Sequence, residues 1–322
     1  MKSSSRLLLP SLLIIALVIP WPFMDNQYIR NTLVTFLLYA ILAQNWNLLF
    51  SHAGIWSFGQ LALFAIGGYG TGLMSKFLGI SPWATMIIAS LMAAAAGLAI
   101  GLVTLRVGGM YFALVTFGLQ FALLSIILAF YSITGGRMGL YNIPSLTIGS
   151  FSLTEFGRWP YYYVLLLIFL VSNFVIKKML DSNIGLALAA VRDSTSGSLS
   201  LGINPLKYRL MAFGLSCFFT GLAGASYGHY FEFIDPTMIS FSTMVTLFLI
   251  IIIGGRHTFH GPTLGALIWI IASELMRPLE LLRYASMGIL VIVLIIFLPS
   301  GLYPMIAKSG NSVKRHLMRS QG

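Results

Sequence analysis

The chain is patterned as long, unbroken apolar runs separated by short polar breaks. Ten such runs stand out, at 7–23, 32–50, 58–77, 82–105, 110–133, 161–176, 210–231, 241–254, 262–276 and 284–298. Many approach the ~20 residues that a helix needs to cross ~30 Å of hydrocarbon. A membrane β-barrel would instead alternate apolar and polar residues in segments of about ten. The pattern predicts an all-α integral membrane protein, a polytopic bundle of about ten transmembrane helices. The eighth and ninth runs are short, and Gly and Pro interrupt them around "GGRHTFHGP". They are either two short spans or a re-entrant pair.

One internal segment departs from this pattern: "DSNIGLALAAVRDSTSGSLSLGINPLKYRL", at 181–210. It is polar, small and basic. Ser182 or Asn183 can cap a helix over 184–192 through a short side-chain oxygen. Ile184, Leu188 and Val191 then fall at i, i+4 and i+7, along one face. "DSTSG" supplies a break and a second cap, and a short helix runs to Leu201 with Gly202 in the usual C-terminal place. Pro205 stops that run, and Lys207 and Arg209 mark the return to the membrane. Such an element either lies on lipid through its apolar stripe and basic flanks or docks on a cytoplasmic partner.

Composition agrees with the apolar runs. Apolar residues make up 58% of the 322 and charged ones 8%, where a soluble domain carries about 25% charged. The single cysteine, Cys217, excludes an intramolecular disulfide and a cysteine-rich metal site. A net charge of +11 is assigned to cytoplasmic loops rather than to nucleic acid. With the N-terminus inside, inner segments hold Lys2, Arg6, Arg106, Lys177, Lys178, Arg192, Lys207, Arg209, Arg256, Lys308, Lys314, Arg315 and Arg319, thirteen in all. Outer segments hold six: Arg30, Lys76, Arg137, Arg158, Arg277 and Arg283. This bias predicts N-in and C-in. Trp21, Trp83 and Trp159 then fall at outer ends, while Trp269 is mid-span. The basic, apolar start lacks a small-x-small cleavage site and reads as an uncleaved first helix. One transmembrane domain, 1–306, is expected, with a cytoplasmic loop at 177–209, an outer loop at 134–160 and a basic cytoplasmic tail at 307–322.

Several fragments resemble the permeases of branched-chain amino acid ABC transporters. Gly185, Ala187, Leu188, Ala190, Val191, Arg192 and Asp193 match a G-x-A-L-x-A-I-R-E pattern. Leu201, Gly202, Ile203 and Asn204 match the A-x-x-L-G-I-N that follows. Ala212 and Phe213, then Gly221, Leu222, Ala223 and Gly224, match the next helix. "FAIGGYGTGL", "GGMYFALVTFG", "TGGRMGL", "IIGGRHTFHGPTLGA" and "LPSGL" extend the resemblance from about Ile55 to Leu302, in the right order.

The resemblance implies an inner-membrane importer subunit with no ATPase site and no cofactor of its own. Its partners would be two ATP-binding subunits that use ATP, a second and related permease subunit, an external periplasmic binding protein, and the bilayer. The setting would be the cytoplasmic membrane of a bacterium. The family's cytoplasmic loop inserts into a cleft on the ATP-binding subunit, which gives Gly185, Leu188, Ala190, Arg192, Asp193 and Gly202 a coupling role. Many relatives carry Glu and alanines where this chain has Thr195 to Ser198. Gly costs about 1 kcal/mol of helix relative to Ala, so the second short helix is expected to be weaker here.

Other chemistry is sparse. "TGGRMG" lacks the Lys-Ser/Thr of a phosphate loop and reads as a turn opening the outer loop, with Gly135, Gly136 and Gly139 facing a docked binding protein. His257 and His260 lack a third metal ligand. Glu232 and Asp235 sit at a span end, where carboxylates are usually solvated. Gln44, Asn45, Asn47, Gln120 and Asn173 lie within spans, where interhelical hydrogen bonding is the default; Asn45, Thr116 and Gln120 are the candidates for a translocation path. Gly67, Gly68, Gly70 and Gly72, with Gly221 and Gly224, read as close-packing faces. No span carries a central charge apart from Glu274 near an outer end, which disfavours an ion-coupled carrier. No nucleophile, base or metal set points to an enzyme. Urea or short amides are the alternative solutes.

Overall fold

Apolar runs flanked by cap residues become helices close to where the pattern puts them. The computed structural model describes residues 26–105, 109–148, 151–154, 158–277, 288 and 301–305. Helix α1, Gln27–Asn47, is capped by Asn26, whose side chain accepts from Tyr28 N, and it runs on into a π turn, Leu48–His52. It is followed by α2 (Gln60–Phe77), α3 (Pro82–Thr104), α4 (Gly109–Ala129) and α5 (Pro160–Leu180). Next come the two short helices α6 (Asn183–Asp193) and α7 (Thr195–Ser200), the long α8 (Pro205–Phe231), and the pair α9 (Phe241–Gly254) and α10 (Gly261–Leu275).

Among the described residues, five spans are long and apolar enough to cross a membrane: Gln27–His52, Pro82–Thr104, Gly109–Ala129, Pro160–Leu180 and Pro205–Phe231. The chain is a multi-pass membrane protein. The expected span at 7–23 and the tail at 307–322 lie outside the described residues, as does the span at 284–298 except for Gly288.

Two expectations need correcting. Pro205 opens a helix rather than stopping one. Asn204 accepts from the N–H groups of Leu206 and Lys207, so α8 begins five residues before the apolar run at 210. Proline suits that first position because its missing N–H would have had no intrahelical acceptor. The fold is also not purely helical. Strand β1 (Leu140–Tyr141) pairs antiparallel with β4 (Phe233–Ile234), and β2 (Thr147–Ile148) with β3 (Phe151–Ser152). Backbone leaving a helix at a membrane edge still needs hydrogen-bond partners, and these short ladders supply them.

Helix α8 is the centre of the packing and lies against both α2 and α3; α9 packs on α10, α10 on α1, and α1 on α5. The α2–α8 contact is backbone to backbone. A Cβ built on Gly67 would fall 2.0 Å from the Gly221 carbonyl oxygen, and one on Gly224 would fall 1.9 Å from that of Phe64. Glycine is required because lipid-immersed helices associate through close approach rather than hydrophobic exclusion. Gly72 has a different neighbour: it leaves room for Leu140 and Ile143 of the loop above it.

The connections gather at two opposite ends. At one end Lys76 Nζ donates to Tyr141 O (2.7 Å), Trp83 Nε1 donates to Thr147 O (2.8 Å), and Arg158 pairs with Glu232 (3.3 Å). At the other, α6 and the α9–α10 connection both meet the π turn, at Ser51.

Candidate functional site

Helix α6 starts at Ser182, whose side chain accepts from Ile184 N. A Cβ on Gly185 would lie 2.0 Å from the Leu180 carbonyl oxygen, so glycine lets α6 fold back sharply under α5. Ser194 caps α7 by accepting from Gly197 N. Gly202, with φ +74°, ends it, and Ile203 N returns to Ser198 O at 2.9 Å.

The apolar stripe of α6 faces inward. Leu188 and Val191 are wholly buried, among Leu48, Leu49, Ile176, Ala212 and their neighbours in the inner cluster for Leu188. That is neither a lipid-lying stripe nor an open docking face. Ala190 is half-buried and Asp193 exposed. The face left open carries Leu186, Leu199 and Leu201, the last two 60% and 76% exposed.

Arg192 fastens the loop to the membrane helices. Its Nη1 donates to Ser51 O at 3.1 Å, and its Nε and Nη2 meet Asp193 Oδ1 at 2.9 Å. The same Ser51 oxygen lies 3.2 Å from His257 Nδ1, on the α9–α10 connection. Asn47 Nδ2 donates to Thr258 O at 3.1 Å on that connection too. His260, beside it, is pushed below the ordinary histidine range by burial and then by the Lys177 charge. His257 is thus held at Ser51 while His260 sits beside Lys177, and among the described residues no three His, Cys, Asp or Glu converge.

The polar residues of the spans divide into two groups. Asn45 Nδ2 donates to Ser172 Oγ (3.1 Å) and to Ile41 O (2.8 Å), which ties α1 to α5. Gln60 Nε2 donates to Ser216 and Thr220, and Ser216 donates to Asn45 O. These are the interhelical bonds expected of polar groups in spans. Thr116 and Gln120 form the second group, one turn apart on α4. Thr116 Oγ1 accepts from Phe58 N at 3.0 Å, and Gln120 Nε2 donates to Ile239 O at 3.3 Å. Both contacts are to chain outside the α-helices. Residues 53–59 run back beside α1, where Trp46 Nε1 donates to Ser57 O at 2.6 Å, and α2 then starts inside the bundle with no side-chain cap. Residues 235–240 bring a 3-10 turn, Pro236–Ile239, down beside Gln120 before α9 begins.

A profile described as "Branched-chain amino acid transport system / permease component" matches residues 28–298. The chain belongs to that permease family. The high-affinity branched-chain amino acid transport system permease protein LivM of Escherichia coli (strain K12) is 30% identical over 321 residues, covering 93% of this chain and 75% of that protein. The protein of the same name from Salmonella typhimurium gives the same figures. A probable LivM of Methanocaldococcus jannaschii is 24% identical over 336 residues, covering 87% of this chain and 94% of that one. No solved structure matches the chain.

At the other end of this branched-chain permease, "TGGRMG" is a chain of tight turns. Gly135, Gly136 and Gly139 have φ of +76°, +55° and +76°. A Cβ on Gly135 would meet the Gly139 oxygen at 2.0 Å, so glycine is there for the backbone. Glu232 pairs with Arg158, and Asp235 accepts from Thr237 N at 2.8 Å, so the two carboxylates act apart. Sequence reasoning missed His229. It is wholly buried on α8, with Nδ1 2.6 Å from Pro144 O and Nε2 2.8 Å from Thr71 Oγ1. It pins the 134–160 loop to the core of the permease. One histidine in an apolar run carries no spacing signal, whereas the nearby Thr71 and Thr85 share its helix faces only once the fold is known.

Proposed function

We propose that this permease is the membrane subunit of a binding-protein-dependent ABC importer for branched-chain amino acids, powered by ATP hydrolysis in two separate ATP-binding subunits. A second, related permease subunit completes the path, and a periplasmic binding protein delivers the solute at the end carrying Gly135, Gly136 and Gly139. The chain sits N-in and C-in in the cytoplasmic membrane of a bacterium, which puts α6 and α7 in the cytoplasm. The observation that carries this reading is the construction of that loop. Its inner face is buried in the membrane helices, its outer face presents Leu186, Leu199 and Leu201, and Arg192 links the two. A load placed on the outer face is borne by α1 and by the α9–α10 connection. Leu188 and Gly185 then act by holding the loop, and Asp193 and Gly202 lie on the side open to a partner.

The experiment is reconstitution of the permease pair with its ATP-binding subunits in liposomes. Leucine uptake is expected only with ATP and binding protein present, and the solute range should follow whichever compatible binding protein is added. Uptake driven by an ion gradient without ATP overturns the importer reading. Uptake of urea or short amides in place of leucine overturns the solute.

A further inference from the structure

Helix α9 starts within the membrane span rather than at its edge. Gln120 is the twelfth residue of the 21-residue α4, and at about 1.5 Å per residue it lies near the middle of that helix. Gln120 touches Ile239 O, and the rings of Phe117 and Phe241 are 6.2 Å apart. The chain at 235–240 therefore reaches mid-depth as a single 3-10 turn between extended residues, without α-helix. Thr237 and Ser242 are exposed there. Irregular backbone with exposed polar groups is not found against lipid; it lines a water-filled cavity or is covered by protein.

Three observations meet at this point. A cleft of about 380 Å³, open on one side, lies between α4 and α9 and is lined by Phe58, Ala113, Phe117, Phe241, Met244 and Val245 among others, with no polar lining. Small-ligand sites run from ~300 to ~1,000 Å³ and are mostly apolar, so a single small solute fills it. Beside it, the start of α9 carries the hydroxyls of Ser240, Ser242 and Thr243, and Ser240 caps the helix by accepting from Thr243 N. The N–H groups of Phe241 and Ser242 have no acceptor among the described residues. Independently, Gln120 is 0% exposed and its Oε1 has no hydrogen-bond partner, while its Nε2 holds the Ile239 carbonyl one residue before the Ser240 cap. An unpaired amide oxygen in a low-dielectric interior is unfavourable and marks a place for a donor.

Resting on the importer reading above, we propose that the α4–α9 cleft is a mid-membrane site for a zwitterionic amino acid with an apolar side chain. The side chain occupies the cleft. The carboxylate meets the free N–H groups and hydroxyls at the start of α9, where the helix dipole favours a negative charge. The ammonium takes Gln120 Oε1. This answers how an amino acid crosses a span with no fixed charge to pair with: broken helices offer dipoles and carbonyls in place of ions. Gln120 reaches the chain just before α9, whereas Asn45 faces Ser172 on α5, away from it.

The test uses the whole complex, with both permease subunits, the ATP-binding subunits and the binding protein, in proteoliposomes. Gln120→Leu and Val245→Trp are each expected to lower leucine uptake per ATP hydrolysed by about tenfold or more, the scale on which filling or unpairing a pocket acts. Ser242→Cys is expected to react with a water-soluble methanethiosulfonate, and leucine delivered by the binding protein should slow that reaction. Native Cys217 is fully buried and stays silent. Wild-type uptake by both variants, or no labelling of Ser242→Cys in a complex that transports, overturns the site and leaves the importer reading intact. A wild-type complex that does not take up leucine with ATP refutes the importer reading instead. If Val245→Trp does not assemble, the labelling result decides.

Discussion

At Arg192 one guanidinium makes two contacts of unequal weight. Its pair with exposed Asp193 is a surface ion pair, worth about 0–1 kcal/mol. Its bond to the Ser51 carbonyl is charge-assisted, partly buried and in the range of about 1.5–3 kcal/mol, so the loop is held chiefly by Ser51. Arg192→Gln should therefore leave insertion and assembly intact and reduce uptake per ATP hydrolysed, whereas Asp193→Asn should leave that ratio unchanged. Equal effects of the two would mean that Arg192 serves the partner side only. Gly224 raises a separate question. Any Cβ there strikes the Phe64 carbonyl, so Gly224→Ala must part α2 from α8, and overpacking of this kind costs about 1–3 kcal/mol. A lower melting temperature in detergent is expected, and an unchanged one would show that α2 can slide aside.

Among the elements, the two short helices were the most legible in the sequence. The cap at Ser182, the second cap at Ser194 and the stop at Gly202 all follow from short polar side chains and a glycine at fixed offsets. The apolar runs also became helices, and α9 matches its run residue for residue. The direction of the α6 stripe was not legible. Periodicity shows that Ile184, Leu188 and Val191 share a face, but it does not say whether lipid, a partner or the chain's own helices cover that face. The breaks at 53–59 and 235–240 lie almost wholly between the apolar runs and were legible as breaks; that they reach Thr116 and Gln120 on α4 was not, because a contact between distant segments leaves no local pattern. His229 had no signal at all.

The direction of the stripe changes which substitution is informative. Leu188→Asp would bury an unpaired charge in the permease itself and should abolish folding. Leu199→Asp and Leu201→Asp alter only the open face. They should insert normally yet fail to co-purify with the ATP-binding subunits, and normal co-purification of both would move the docking surface elsewhere.

For the whole molecule, orientation follows from labelling the two ends. Ser196 and Met138 are exposed; Ser198 is buried and less suitable. Met138→Cys is expected to react with an impermeant reagent in intact cells, and Ser196→Cys only after permeabilisation. Reaction of Ser196→Cys from outside would reverse the topology and remove the coupling loop from the cytoplasm. The backbone contact between α2 and α8 has a further consequence, in the order of synthesis. More than 150 residues separate Gly67 from Gly221 and Gly224. Until α8 leaves the ribosome, α2 waits in the membrane with its glycine face uncovered and Gln60 lacking Ser216 and Thr220. The centre of the permease is therefore filled only after α1 to α5 are made, and the α9–α10 pair closes on α1 after that. A chain cut short before Pro205 has α1 to α7 but neither α8 nor the α9–α10 pair, so the glycine face of α2 stays open, which is the form that membrane quality control would be expected to recognise and remove.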